Sequence, residues 1–164
     1  MSTLTVWKFD QADGAEKALD KLQALQKQEL IQIMDAAVVT WPSGRKKPKT
    51  YQAVSTVGIG ALGGAFWGML FGLIFLSPVF GMIVGVTAGA ISGKFTDYGI
   101  NDKFIKEVRK KVTEGKSALF LLTGQVTVDK VKEAFAPKER GELMQSNLTN
   151  EQEAKLKEDF GAEL

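Results

Sequence analysis

No charged side chain occurs between Lys49 and Lys94, a gap of 44 consecutive positions. The remaining 120 residues hold all 40 charges, with 8 basic and 6 acidic groups over 1–49 and 13 of each over 94–164. A water-facing element normally keeps charge on its solvent side. This sequence reads instead as a polar domain opened to admit an apolar insert, which divides the chain into 1–53, 54–96 and 97–164.

The insert has the pattern of a helical hairpin. Two apolar runs, over 55–76 and 79–95, flank Ser77-Pro78. Each reaches the roughly 17–20 residues that a helix needs to cross a bilayer, the second only just. Pro78 cannot continue the first helix but suits the first turn of the second. A connection this short makes the helices antiparallel neighbours. Glycine recurs every fourth position, at Gly60, Gly64, Gly68 and Gly72 and again at Gly81, Gly85, Gly89 and Gly93. That spacing keeps glycine on one side of each helix. In water each such residue costs a helix about 1 kcal/mol relative to Ala. In lipid the backbone must satisfy itself, so helix is enforced, and glycine faces allow close backbone approach. These eight glycines are the expected helix-association residues. Two alternatives place the same hairpin elsewhere: buried inside a soluble fold, or packed against hairpins of other subunits in a protein-only ring or shell.

The flanks set the expected orientation. Arg45, Lys46, Lys47 and Lys49 precede the insert and Lys94 closes it. The positive-inside rule then places the polar domain on the cytoplasmic side of a cell inner membrane. The same five cations are the expected contacts to anionic headgroups, each worth about 1 kcal/mol near the surface. Residues 1–15 lack the apolar core of a signal peptide, which leaves the first apolar helix as the insertion signal.

Outside the insert the pattern is that of a small α/β domain. Residues 4–9 alternate as a strand. Asp13 and Glu16 match a capping box, and Ala15, Ala18, Leu19, Leu22 and Leu25 follow at helical spacing. A second strand is expected over 31–41, and a short returning strand over 49–53. Beyond the insert, Asn101 or Asp102 starts a helix through Val108 that Gly115 ends. Residues 117–123 form a continuous apolar run, as in a central strand buried on both faces. Thr127 is the expected cap of a short helix, 142–146 a weaker edge strand, and Thr149 with Gln152 a second capping box. This order predicts an α+β fold, a ferredoxin-like sandwich interrupted by an antiparallel two-helix glycine-zipper transmembrane hairpin. A flavodoxin-like sheet would want more strands.

Little chemistry is open to such a chain. It has no Cys and no His, which removes thiolate nucleophiles, Cys-ligated metal and His-dependent triads. Asp97 and Asp102, and the acidic Glu151, Glu153, Glu158 and Asp159, read as turn, cap and solvated helix face rather than ligands. The glycines from Gly58 lack the Gly-Lys-Ser/Thr of a phosphate loop. A net charge of +2 and strands without an aromatic stacking platform argue against nucleic acid. No catalytic residue, metal site or cofactor is expected.

The D-G-A-E helix start, the A-V-V second strand, the glycine-spaced hairpin, the run Gly99-Ile100-Asn101-Asp102-Lys103-Phe104-Ile105, S-A-L-F-L-L over 117–122 and the late T-N-E-Q together resemble a bacterial family of membrane proteins, domain of unknown function 1269. The resemblance runs along nearly the whole chain. It implies a ferredoxin-like domain with a membrane-associated hairpin and supplies no catalytic residues. The expected function is therefore non-enzymatic: a membrane-anchored protein that self-associates into large homo-oligomers, with the lipid bilayer as its other partner and a role in membrane organisation or stress tolerance. The alternatives are a pore or transport component, with Ser55, Thr56, Thr87 and Ser92 as its lining, and the protein-only ring or shell.

Overall fold

The computed structural model describes residues 2–28, 31, 33–52, 64–76, 95–135 and 141–160. They build one antiparallel sheet from β1 (Ser2–Phe9), β2 (Ile33–Thr40), β3 (Lys49–Gln52), β4 (Ser117–Gly124) and β5 (Glu142–Leu148). The helices are α1 (Gly14–Lys27), α2 (Gly64–Phe71), α3 (Asp102–Lys111), α4 (Gln125–Ala134) and α5 (Asn150–Phe160). A π-helical turn over Gly72–Leu76 extends α2.

The spatial order of the strands is β3-β2-β4-β1-β5. β4 lies between β1 and β2 and runs antiparallel to both, so β1 and β2 are parallel to each other and α1 crosses over β4 to join them. β1 likewise lies between β4 and β5, and α4 crosses over it. Two β-α-β units are thus interleaved, the split arrangement of α+β sandwiches. The continuous apolar run of β4 explains its central place. Leu122 and Phe120 sit opposite Leu4 and Val6 of β1, and Phe120 is also opposite Ala37 of β2. Ser117 through Thr123 are all buried. β5 instead alternates, with Met144, Ser146 and Leu148 buried and Gln145 and Asn147 exposed, as befits an edge strand.

Successive strand residues point to opposite faces. On one face Trp7, Val38, Leu119 and Leu121 receive Ala15, Ala18, Leu19 and Leu22 of α1 and Val131 of α4. On the other, Leu4, Val6, Val39, Phe120 and Leu122 receive α2, α3 and α5 through Leu70, Phe71, Ile105, Val108 and Leu156. The sheet is therefore covered on both sides.

This second layer overturns the transmembrane hairpin expected over 54–96. Among the described residues no helix is long and apolar enough to cross a membrane. The helical run Gly64–Leu76, at about 1.5 Å per residue, reaches only some 20 Å of a roughly 30 Å hydrocarbon core. Its bulky side is already occupied by protein. Phe66, Trp67, Leu70, Phe71 and Ile74 recur at helical spacing and are 0–6% exposed beneath the sheet. Burying a side chain of this size is worth about 1.5–3 kcal/mol, a driving force that a sheet satisfies as well as a bilayer does. The α+β class holds, with five strands and a covering layer in place of a membrane hairpin. The second apolar run, the Ser77-Pro78 turn and the return helix lie outside the described residues.

Two expected caps are also corrected. Asp13 precedes α1, but its side chain makes no capping hydrogen bond and instead pairs with Lys17 at 3.1 Å. α4 begins at Gln125 with Gly124 in the cap position, ahead of Thr127. Asn101, by contrast, caps α3 by accepting the Phe104 N–H at 2.9 Å.

Candidate association surface

Helix α2 has two unlike sides. Its spacing of four aims Phe66, Leu70 and Ile74, and likewise Trp67 and Phe71, at the sheet. Gly68 and Met69 point the other way and are exposed, Met69 to 37%. Among the described residues, a Cβ added at Gly68 meets nothing within 4 Å. The side of this helix at Gly68 and Met69 is thus exposed, while its aromatic side is consumed by the core. Gly72, one turn on, is buried at the start of the π-helical turn. The exposed side of α2 therefore does not continue from Gly68 to Gly72. Gly64 opens α2. Gly60, Gly81, Gly85, Gly89, Gly93 and Lys94 lie outside the described residues.

A run of ring contacts anchors this layer. Trp41 meets Phe75 at 6.0 Å between centroids, Phe75 meets Phe71 at 6.3 Å, and Phe71 stacks on Trp67 at 5.9 Å. The run continues through Phe66 and Phe95 to Tyr98. Aromatic pairs at such separations add about 0.5–1.5 kcal/mol each beyond burial. The Trp67 indole N–H is buried and finds no hydrogen-bond acceptor among the described residues.

At the Trp41 end stand four of the expected headgroup-binding cations, three on the loop before β3 and Lys49 at its first residue. Arg45, Lys46, Lys47 and Lys49 are all exposed. The Trp41 indole donates to the Arg45 carbonyl at 2.8 Å, and Gly44, at φ +87, donates its N–H to the Glu114 carboxylate. Arg109 of α3 adds a further positive group beside the π-helical turn. Its Nε donates to the Ile74 carbonyl at 2.9 Å, and its Nη2 donates to Leu73. Nothing local in the sequence marks this partner of Arg109, 35 residues away.

At the far end of the ring run, α5 closes over the layer. Thr149 and Gln152 form the reciprocal capping box, at 2.9 and 3.2 Å. Tyr98 is fully buried and donates its phenol to Asp159, while Ser146 donates to the Gly99 carbonyl. Burial, with the Asp159 carboxylate second, pushes the Tyr98 phenol well above its ordinary range. Asp97 pairs with Lys155 at 3.6 Å. Neither of the acidic groups singled out in the sequence forms a ligand cluster; among the described residues no three metal-ligating side chains converge.

One buried carboxylate escaped the sequence reading. Asp35 is 0% exposed, with the Gln52 amide donating to both its oxygens at 3.1 Å. It sits at a register shift between Ile33 and Asp35 in the β2–β4 pairing. A buried carboxylate must be hydrogen-bonded to persist, and Gln52 on the neighbouring strand meets that need.

The sequence pattern of a family described as Protein of unknown function (DUF1269) matches residues 61–161. That span holds the runs 99–105 and 117–122 and the late T-N-E-Q, while the D-G-A-E helix start and the A-V-V strand lie before it. No curated protein and no solved structure matches the chain.

Proposed function

The chain belongs to the DUF1269 family, and from that premise we propose that it is a non-enzymatic, self-associating protein whose copies meet through the open glycine side of α2. The observation that supports this reading is the asymmetry of that helix. Its aromatic side is buried, while Gly68 is exposed, with no described residue within 4 Å of a Cβ added there and the exposed Met69 beside it. Gly is among the poorest residues for a helix interior, about 1 kcal/mol below Ala. Its use on an outward surface has a physical rationale when another backbone approaches closely there. Sedimentation velocity on the purified chain tests this. The native protein is expected to sediment as a homo-oligomer, and Gly64→Leu/Gly68→Leu as a monomer with an unchanged thermal transition. An oligomer of the same size in the double variant contradicts the reading.

A second reading, contact with an anionic lipid surface, is favoured by the four exposed cations of the 45–49 loop. Flotation with vesicles containing phosphatidylserine separates the two. Lipid contact predicts flotation that Lys46→Glu/Lys47→Glu abolishes and the glycine variant leaves intact.

A further inference from the structure

Lys103, Lys106 and Lys110 are exposed and stand at i, i+3 and i+7 on α3. At about 100° per residue they fall within about 60° of one another, on the side opposite the buried Phe104, Ile105 and Val108. They form a straight ridge about 10 Å long. No carboxylate among the described residues pairs with them, and Glu107 is turned to Lys111 at 3.3 Å. Residues 53–93 hold no carboxylate that could reach over to them. α3 and α2 cover the same sheet face, and Arg109 ties α3 to the Leu73 and Ile74 carbonyls. The lysine ridge therefore shares an outer surface with Gly68 and Met69.

The opposite sheet face carries the same pattern in the other sign. Asp13, Glu16 and Asp20 repeat the i, i+3, i+7 spacing along α1. All three are exposed and turned away from the buried Ala15, Ala18, Leu19 and Leu22. Asp13 pairs with Lys17 at 3.1 Å, and Glu16 accepts from the Tyr51 hydroxyl at 3.4 Å. Both contacts are exposed, and exposed pairs of this kind are weak and exchange partners easily. Lys17 and Lys21 stand on the flank of α1 toward Phe135, where the Lys21 ammonium rests 4.8 Å from the ring centroid. The acidic ridge is thus separate from the lysines of its own helix. Ala24, one turn beyond Asp20, is exposed and small, which suits the close approach that Gly68 permits.

We propose that copies of this chain meet front to back, the acidic ridge of α1 in one copy lying along the lysine ridge of α3 in the next. This contact rests on the reading of α2 as the association side and names what that side meets. α1 and α3 cover opposite faces of one sheet, so no chain can join its own two ridges. Each copy instead offers them to two different neighbours. A contact of that kind is heterologous and either closes into a ring or extends into a filament. Equal spacing of three opposite charges fixes the register, and two like ridges repel each other.

Charge exchange, read by sedimentation velocity of the full-length protein at low salt, tests the proposal. Lys103→Glu/Lys106→Glu and Glu16→Lys/Asp20→Lys are each expected to sediment as monomers alone. An equimolar mixture of the two is expected to regain the native size, because only the mixture offers opposite ridges at every contact. The native assembly is also expected to shrink as salt rises to about 1 M, where the screening length is about 3 Å. All four positions are exposed, and circular-dichroism melts verify that the variants fold. Native size in either variant alone, a mixture that stays monomeric, or a native assembly indifferent to salt each overturns the proposal. So does a lysine variant that keeps the native size but no longer floats with phosphatidylserine vesicles, which gives the ridge to lipid. Gly64→Leu/Gly68→Leu separates the two readings. If it stays oligomeric, the α2 reading fails and the mixture still decides the ridges. If it is monomeric while the charge variants keep the native size, only the front-to-back contact fails.

Discussion

The Ser117 hydroxyl accepts the Ala15 N–H at 2.9 Å, joining the first turn of α1 to a strand 102 residues later in the chain. The same hydroxyl donates to the Gln11 carbonyl at 2.6 Å. Ser117 thus does for α1 what the preceding Asp13 does not, satisfying one of the four N–H groups left orphaned at a helix start. Ser117→Ala is expected to lower the unfolding free energy by about 1–2 kcal/mol. Asp13→Ala, which removes only an exposed pair, should change it by less than about 0.5 kcal/mol. Urea denaturation of the two variants measures both, and equal losses would restore Asp13 as the cap.

Leu70 is fully buried between α2 and the sheet. Leu70→Ala is therefore expected to cost about 2–5 kcal/mol, the range for a leucine removed from a packed core. A lipid-facing leucine would leave the stability of the polar domain nearly unchanged. Denaturant midpoints of the purified chain distinguish these outcomes directly.

Tyr98 links stability to alkaline pH. Burial and the Asp159 carboxylate raise its phenol pKa in the folded state. The corresponding stability is complete below the unfolded phenol value of about 10 and is lost as pH rises from there toward the folded value. Tyr51, the other tyrosine, is 43% exposed and is raised as well, by burial and by Glu16. A spectrophotometric titration should show Tyr51 ionising first and Tyr98 only as the protein unfolds. Tyr98→Phe should cost about 1 kcal/mol at neutral pH and flatten the alkaline decline. A single transition for both phenols in the folded protein contradicts this assignment.

Arg109 holds the π-helical turn that extends α2 through the Leu73 and Ile74 carbonyls. Arg109→Met leaves both without this donor and is expected to cost about 1–2 kcal/mol. Arg109→Lys keeps the charge but loses the planar fork, so its stability should fall between the two. Hydrogen exchange should localise the loss to the amides of 64–76. Uniform acceleration across the sheet would mean that the contact carries no local role.

What the sequence disclosed follows from how far apart the interacting groups lie. The unbroken apolar run of β4 marks a central strand by itself. Thr149 and Gln152, three residues apart, mark a helix start that the structure reproduces at both hydrogen bonds. The fate of the insert was not legible in the same way. The spacing of Phe66, Leu70 and Ile74 requires an apolar partner, and a sheet face and a lipid tail satisfy that requirement equally. Ser117 and Arg109 act on groups 102 and 35 residues away, and no local pattern encodes such pairings. The glycine spacing is readable in the sequence, but the burial of Gly72 one turn beyond the exposed Gly68 is not.

The placement of β4 has a consequence for synthesis on the ribosome. β1 and β2 share no edge with each other; β4 separates them. β1 therefore has no strand partner until Ser117–Gly124 has been made, after the whole of α2 has been synthesised. The aromatic side of α2 has no completed sheet to cover in that interval. The nascent chain thus carries the aromatic side of α2 without its sheet while residues 77–116 are added. Non-local strand pairing of this kind is slow and exposes the chain to aggregation. Chaperone demand should therefore peak while residues 77–116 are being added.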